Sequence, residues 1–337
     1  MGTGMEELDI LRQSLTWLLA SSTSPVMQPP CGVLVLDKPR GTSSHDIVKR
    51  TRRTFGVRQI GHMGTLDPMA TGVLLVAIGE ATKLGPWLTR LEKCYEATIA
   101  LGVETDTLDA DGRETKRTTP TPALRAALAQ SSPSAISPLL QNAFDQERAR
   151  TTQVPPAYSA IHCEGERAYE RARRGAEVDL PARPVGVHRL ELLGCRAEPP
   201  TIEIAVEVTK GYYVRSLARD LAAGLGTVAH LTALRRIRSG SFGLDEASSM
   251  ETPVWELATR ILPLSSAASR VLPVLTLTDS ETRDAYFGRP ISVENFVCLA
   301  PGPHAWLDGN GRLVAIGEMD SSGRGRVLRG FVPQTST

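Results

Sequence analysis

Short apolar runs alternate with polar turns rich in glycine and proline along most of this chain. Four of these runs predict strands, at residues 33–36, 73–78, 98–101 and 202–208. Four stretches with apolar residues at helical spacing predict helices, near residues 44–55, 123–129, 166–174 and 215–225. Ser43 and Asp46 form a capping-box pattern at the start of the first helix. Because the two kinds of element alternate irregularly and without a repeat, the pattern indicates an α+β fold rather than a doubly wound sheet.

Three segments stand apart from this pattern. Residues 1–30 carry leucines at helical spacing, which predicts an amphipathic N-terminal extension to which we assign no function. The Ser/Pro-rich residues 131–138 are typical of a flexible surface segment. A composition shift near residues 262–273 precedes short apolar runs and glycine turns. We therefore predict a main domain over 31–265 and a small β-rich domain over 271–337.

Composition narrows the class of protein. The chain has 22% charged and 41% hydrophobic residues, which is ordinary for a globular protein. Its net charge of +1 does not by itself indicate any kind of charged partner. Its five cysteines include no C-x-x-C pair, so a zinc ribbon is not expected. Instead, we expect reduced thiols in a cytoplasmic protein. No apolar run is long enough to predict a membrane span. We expect a monomeric cytoplasmic protein without a metal site.

The densest candidate site is residues 61–72, Gly-His-Met-Gly-Thr-Leu-Asp-Pro-Met-Ala-Thr-Gly. Its glycines and proline predict a constrained loop, and Asp67 is its one carboxylate. Pro68 biases Asp67 toward an extended conformation, and a loop between apolar elements commonly presents a catalytic side chain. From residue types alone, an aspartate that only hydrogen-bonds its own turn is the more common case.

Two charged clusters have simple structural explanations. Asp106, Asp109 and Asp111 precede Gly112, but the spacing of an EF-hand calcium loop fails, so we expect a solvated turn. A basic cluster follows the first predicted turn, and it is either a solvated helix face or a set of phosphate contacts. Its members are Lys49, Arg50, Arg52, Arg53 and Arg58.

The 61–72 loop resembles the signature loop of the bacterial tRNA pseudouridine-55 synthases, the TruB family. Further segments resemble that family in the same order, over about residues 32–244. They are residues 32–44 with Asp-Lys-Pro-Arg-Gly-Thr-Ser-Ser, 79–83, 93–95, 105–112, 153–160, 168–173, 210–215 with Lys-Gly-Tyr-Tyr-Val-Arg, and 230–236. The resemblance implies a pseudouridine synthase fold, with a mixed, mostly antiparallel sheet, flanking helices and an RNA-binding cleft. It also implies that residues 271–337 form a PUA-like RNA-binding domain.

The implied function is isomerisation of uridine to pseudouridine at position 55 in the T-loop of tRNA. This reaction gains no atom and moves no electron, so no cofactor is expected. By resemblance, Asp67 is the catalytic aspartate, Arg215 is its ion-pair partner, and Tyr95 stacks on the target base and takes its C5 proton. By the same resemblance, Tyr213 and Leu234 line the uracil pocket and His62 contacts the opened T-loop. Lys38, Gly64 and Thr65 are further expected substrate-binding residues, with Lys38 as an addition to the basic cluster. Each also has an ordinary structural explanation, such as a strand aromatic, a surface cation or a turn residue.

The sequence departs from the family at His162, where a lysine is usual, which puts one phosphate contact in doubt. Residues 113–150 match poorly and receive no role. Two alternatives remain open at this point. One is a guide-RNA-dependent pseudouridine synthase, which shares Gly-Thr-Leu-Asp-Pro, and the other is an RNA-binding or RNA-folding protein on the same scaffold.

Overall fold

The structure is a computed structural model, and it describes residues 29–159, 161–163, 166–167, 171, 174, 179–292 and 301–332. Almost all of the predicted extension 1–30 lies outside the described residues. Across these described ranges, no helix is both long and apolar enough to cross a membrane.

Before residue 270, the described part of the chain contains fifteen strands and seven helices. The strands are β1 (Gly32–Lys38), β2 (Ile60–His62), β3 (Thr71–Ile78), β4 (Lys93–Leu101), β5 (Val103–Thr105), β6 (Glu114–Arg117), β7 (Thr152–Gln153), β8 (His162–Cys163), β9 (Glu166–Arg167), β10 (Arg183–Pro184), β11 (Val187–Ala197), β12 (Pro200–Val208), β13 (Ala229–Ser239), β14 (Phe242–Gly243) and β15 (Ser248–Ser249). The helices are α1 (Ser44–Phe55), α2 (Gly85–Leu88), α3 (Pro122–Gln130), α4 (Pro138–Arg148), α5 (Val214–Gly224), α6 (Val254–Thr259) and α7 (Leu264–Ser269), with 3-10 turns at Gly79–Leu84 and Leu244–Glu246.

A nine-stranded sheet forms the centre of the molecule. Its order is β11-β12-β4-β13-β3-β1-β15, with β14 paired to β13 and β2 paired to β3. Among its pairs in the described chain, β13–β3 and β1–β15 are parallel and the others are antiparallel. The expected mixed, mostly antiparallel sheet of an α+β fold is therefore confirmed.

Helices α1, α3, α4 and α5 pack on one face of this sheet. On β3 the side chains of Leu74, Val76 and Ile78 join this helix-covered core, while Val73 and Leu75 point to a second core on the opposite face. Because β3 is buried on both faces, it is a continuous apolar run in the sequence rather than an alternating one.

The C-terminal segment has a sheet of its own. It contains β16 (Val274–Thr276), α8 (Asp279–Tyr286), β17 (Ile291–Ser292), β18 (Pro303–Leu307), β19 (Leu313–Met319) and β20 (Arg324–Gly330). The strand order is β16-β18-β19-β20-β17. Ile316 and Phe331 share the second core with Val35 and Leu75 of the central sheet, so this β-rich segment packs on the face opposite the helices.

The local predictions can be compared with these elements. The helices near 44–55, 123–129 and 215–225 are confirmed as α1, α3 and α5, and Ser43 caps α1 by accepting a hydrogen bond from the Asp46 N–H. The helix near 166–174 is wrong at its first two residues, which pair with β8 as a strand, and most of its remainder lies outside the described residues. Helix α4 was not predicted, because it begins at Pro138 directly after a Ser/Pro-rich turn.

Candidate active site

The candidate catalytic carboxylate lies in the connection between β2 and β3, residues 63–70, called here the Asp67 loop. The Ser44 hydroxyl, at the first turn of α1, accepts a hydrogen bond from Leu66 N–H at 2.8 Å and donates one to Leu66 C=O at 3.0 Å. The Pro68 carbonyl accepts hydrogen bonds from Gly41 N–H at 2.8 Å and from Lys38 Nζ at 3.3 Å. The main chain on both sides of Asp67 is therefore fixed by neighbouring segments.

A buried arginine holds the two ends of this loop. The Arg236 guanidinium donates to the carbonyl oxygens of Val73 at 2.6 Å, Gly64 at 3.1 Å and Thr65 at 3.4 Å. Gly64 has φ of +117° and Gly72 has φ of +103°, in the region that glycine tolerates best. A Cβ on Gly72 would lie 2.2 Å from the Arg236 carbonyl oxygen, so the close contact of β3 with β13 requires a glycine there.

The Asp67 carboxylate pairs with Arg215, two residues into α5. Arg215 Nη2 donates to Asp67 Oδ1 at 3.1 Å, and Arg215 Nε lies 2.9 Å from Oδ2 as a charge contact without hydrogen-bond alignment. The guanidinium also donates to Thr107 C=O at 2.8 Å and Tyr158 C=O at 2.9 Å. The Arg215 side chain is 5% exposed and the Asp67 side chain 32% exposed. A buried cation thus holds a carboxylate that is still partly exposed to solvent.

A second carboxylate lies behind the same arginine. Asp109 Oδ2 is 3.7 Å from Arg215 Nε, and its Oδ1 accepts from the Thr107 hydroxyl at 2.6 Å and from Asp111 N–H at 3.1 Å. Asp109 is 5% exposed, so the expectation of a solvated turn is wrong for this residue. Leu108 adopts a positive φ of 61°, and the side chain of the following Asp109 reaches the Arg215 guanidinium on α5.

The aromatic and apolar candidates lie on the helix-covered face of the sheet. Tyr95 on β4 is opposite Arg236 on β13, and Arg236 is in turn opposite Gly72, where the Asp67 loop joins β3. Leu234 is opposite Ala97, and both Leu234 and Tyr95 belong to the buried cluster that contains Leu66. With strands about 4.8 Å apart, Tyr95 lies roughly 10 Å from the start of β3.

Tyr213 immediately precedes α5. Its main chain exchanges two hydrogen bonds with the Gln153 side chain, at 2.9 Å and 3.2 Å. Burial raises the pKa of the Tyr213 hydroxyl, the Arg215 charge opposes this rise, and the Asp67 charge adds to it. The net direction is upward, so the phenol stays protonated at neutral pH. The structure therefore brings Tyr213, Arg215 and Asp67 into one electrostatic unit.

His62 and Lys38 are in settings that the sequence did not indicate. The His62 Nδ1 atom is buried without a hydrogen-bond partner in the described chain, and burial, followed by the charges of Arg236 and His45, lowers its pKa. Lys38 is completely buried, and its ammonium donates to Pro39, Thr42 and Pro68 carbonyls. Burial lowers the Lys38 pKa to about 8.

The expected substrate contact by Lys38 therefore does not fit this structure, and the residue instead fastens the turn to the Asp67 loop. Thr65 is exposed beside Asp67. Gly64 contributes a carbonyl to Arg236 rather than an open surface. The His162 side chain lies outside the described residues.

Part of the basic cluster faces solvent beside the site. Lys49, Arg50 and Arg53 line a groove between α1 and the 39–42 turn, whereas Arg52 donates to Ile60 C=O at 2.8 Å. Arg58 is exposed. In the described ranges, no group of three or more His, Cys, Asp or Glu residues could hold a metal ion.

Comparison with known proteins agrees with this arrangement. Residues 52–214 match the family model described as TruB family pseudouridylate synthase (N terminal domain), and residues 215–265 match the tRNA pseudouridylate synthase B C-terminal domain. The chain belongs to the TruB family. The boundary between the two family models falls within α5, so it does not mark a boundary between the two sheets.

Several relatives and solved structures are similar over most of the chain. A tRNA pseudouridine synthase B from Thermobifida fusca (strain YX) is 40% identical over 85% of this chain and 94% of its own length. The enzyme of the same name from Arthrobacter sp. (strain FB24) is 39% identical over 90% of this chain and 97% of its own length. A chain from a crystal structure of a Cbf5-Nop10-Gar1 complex matches with a TM-score of 0.65 and 22% identity, over 92% of this chain and 87% of that one, which indicates the same fold.

Three residues that shape the site were not predicted from the sequence. Ser44, Asp109 and Arg236 all lie inside segments that carried the family resemblance, but nothing in their local pattern indicated their contacts. The one available signal was their residue type, because a buried hydroxyl, carboxylate or guanidinium must find hydrogen-bond partners.

Proposed function

We propose that this protein isomerises uridine to pseudouridine at position 55 in the T-loop of tRNA, without a cofactor. The observation that carries the proposal is the pairing of a partly exposed Asp67 carboxylate with the buried Arg215 guanidinium at 2.9 Å. This geometry suits a single reactive carboxylate at the mouth of a cleft. Membership of the TruB family and relatives named tRNA pseudouridine synthase B support the same conclusion.

The reaction breaks the N1–C1′ bond of uridine and forms a C5–C1′ bond, while the proton on C5 is lost and N1 gains one. Asp67 either attacks C1′ or removes a sugar proton to give a glycal, and in both routes its negative charge stabilises positive charge on the sugar. Arg215 keeps Asp67 ionised and oriented, since a neighbouring cation favours the charged carboxylate. Asp109 holds Arg215 from behind.

The target base must leave the T-loop stack to reach this carboxylate. We assign Tyr95 as the stacking partner and the acceptor of the C5 proton, and Leu234 and Tyr213 as walls of the uracil pocket. Tyr95 and Leu234 lie on neighbouring strands below the Asp67 loop, which supports this assignment. His62 and Thr65, on the loop side of the cleft, would contact the opened T-loop.

Phosphate binding is proposed for two basic surfaces. One is the α1 groove with Lys49, Arg50 and Arg53. The other is β20, where Arg324, Arg326 and Arg329 are exposed on the PUA-like C-terminal sheet. We propose that the protein acts as a monomer on the tRNA T-arm in the cytoplasm.

Neither alternative is favoured by an observation of this chain. Relatives about 40% identical over most of the chain are named tRNA pseudouridine synthase B, which favours tRNA as the substrate over the guide-RNA-dependent alternative. An RNA-folding role without catalysis does not require a buried arginine, Arg215, that orients a partly exposed carboxylate, Asp67.

The decisive experiment is Asp67→Asn, which is nearly isosteric and leaves the loop contacts in place. We expect single-turnover pseudouridine formation on an unmodified tRNA transcript to fall by up to ~10⁶-fold, as loss of a catalytic nucleophile can do. The dissociation constant for tRNA should change little, because phosphate contacts and stacking provide affinity. Retained turnover in a folded variant would refute the role of Asp67, and a wild-type protein that modifies no tRNA would refute the function.

A further inference from the structure

Arg215 and Arg235 each pair with a carboxylate, whereas the Arg236 guanidinium binds only main-chain carbonyl oxygens in the described structure. Arg236 is 1% exposed, and across the described ranges its guanidinium donates three hydrogen bonds, all to main-chain carbonyl oxygens, of Gly64, Thr65 and Val73. Within the part of the chain that the structure describes, no carboxylate lies within ion-pairing distance of its guanidinium. A buried cation without an anionic partner is costly, so a role limited to filling the core is a poor explanation for it.

The three carbonyls that Arg236 binds come from both sides of Asp67. Gly64 and Thr65 precede Asp67 in the loop, whereas Val73 follows it in β3. One planar guanidinium therefore crosslinks the entrance and the exit of the Asp67 loop. The main chain of Arg236 contacts the same region, because β13 pairs with β3 through Arg236 and Gly72.

The remaining loop contacts do not substitute for this crosslink. Ser44 binds Leu66, and Lys38 with Gly41 binds Pro68, so each of them fixes only one point near the centre of the loop. The Met63 N–H donates to Leu75 C=O at 2.8 Å, which joins the first residue of the loop to β3 but not to β13. None of these contacts holds the loop to β13, the strand that carries Leu234. Arg236 alone among these side chains links the Asp67 loop to the strand next to Tyr95.

From this geometry we infer that Arg236 is a positioning residue. By binding the main chain before and after Asp67, it fixes the position of the Asp67 carboxylate over the bound uridine. The inference rests on the proposed function. It assigns Arg236 no contact with RNA, so tRNA affinity should not depend on it. An error of about 1 Å in the position of a reacting group can reduce the rate ~100-fold.

Arg236→Lys is the test, because lysine keeps the charge but cannot donate to three carbonyls in a plane. Arg238→Lys is the matched control on the same strand. The Arg238 guanidinium binds Glu207 at 2.6 Å and the Gly240 carbonyl at 2.8 Å, and in the described structure no hydrogen bond joins it to residues 62–73. Three quantities are compared: the single-turnover rate, the dissociation constant for a tRNA transcript, and hydrogen–deuterium exchange of peptides from residues 62–73.

For Arg236→Lys we expect a ~100-fold lower rate, a dissociation constant within about 3-fold of wild type, and at least ~10-fold faster exchange in the loop. Arg238→Lys should leave all three within about 3-fold. If Arg236→Lys does not fold, Arg236→Gln replaces it, since an amide can still donate to two carbonyls.

The inference is overturned if the rate stays within 3-fold of wild type, if loop exchange is unchanged, or if rate and affinity fall together. Failure of both variants to fold would also overturn it, because Arg236 would then be a folding residue. If wild type forms no pseudouridine, the proposed function fails, while the exchange comparison still decides whether Arg236 clamps the loop.

Discussion

Replacing Ser44 by alanine removes a hydroxyl that completes both hydrogen bonds of one loop peptide. Ser44 and Leu66 are buried, and the hydroxyl lies 2.8 Å from Leu66 N and 3.0 Å from Leu66 O. Each buried main-chain group left unpaired costs about 1–3 kcal/mol. Two such groups are left unpaired, so we expect Ser44→Ala to lower the free energy of unfolding by about 2–6 kcal/mol. Because Leu66 precedes Asp67, the displaced loop should also slow single-turnover pseudouridine formation by ~10- to 100-fold.

The neighbouring residue provides a matched control. The Ser43 hydroxyl caps α1 by accepting from Asp46 N–H at 3.1 Å, and no hydrogen bond joins it to the Asp67 loop in the described structure. Loss of such a cap costs about 1 kcal/mol, so Ser43→Ala should be less stable without being slower. Urea unfolding gives the stabilities, and the rates are compared at a temperature where all three proteins are folded. A folded Ser44→Ala enzyme as fast as Ser43→Ala would refute the claim that this hydroxyl positions the loop.

Two further predictions concern charge. Replacing Arg324, Arg326 and Arg329 of β20 by alanine should reduce the slope of log affinity for tRNA against log salt concentration by about 2–3, because each phosphate contact contributes roughly 0.7–0.9. The rate of pseudouridine formation at saturating tRNA should not change. An unaltered slope would show that β20 does not contact the RNA. Lys93 is buried and its pKa is lowered from 10.5 to about 8 by burial, then by the charges of Arg236 and Lys210. Below pH 8 the buried Lys93 ammonium therefore destabilises the folded wild type, and this destabilisation disappears as pH rises toward 10.5 because the folded protein loses the proton first. Lys93→Met has no such charge, so its stability relative to wild type should fall as pH rises. The expected fall is up to about 3 kcal/mol between pH 8 and pH 10, at about 1.4 kcal/mol per pKa unit. Urea unfolding of both proteins across that range measures the difference, and a constant difference would contradict the lowered pKa.

Several local features of this protein followed from the sequence. Helix α1 was predicted at its observed limits, since its cap at Ser43 and the apolar face with Ile47 and Val48 are contained in twelve consecutive residues. The Asp67 loop was likewise predicted as constrained, because its glycines and Pro68 restrict the main chain whatever surrounds them. Resemblance to the TruB family then identified Asp67 and Arg215 as partners.

Other features depended on which distant segments the sheet brings together. Arg215 lies 148 residues from Asp67, and Arg236 lies 172 residues from the Gly64 carbonyl that it binds. The β4-β13-β3 strand order creates the second contact, and no local pattern specifies that order. Helix α4 was missed for a related reason, because Leu140 and Phe144 become a core face only when packed on the sheet.

The same distinction explains the two residues whose surroundings were predicted wrongly. Lys38 was expected on the RNA surface and Asp109 in solvent, as is usual for charged residues in turns. Both are buried, because carbonyl oxygens around Lys38 and the Arg215 guanidinium beside Asp109 provide the partners that burial requires. The sequence by itself determined which charged side chains this protein carries and which turns hold them. Only the tertiary structure decided which of those charged side chains would be buried, because burial requires hydrogen-bond or ion-pair partners from distant segments.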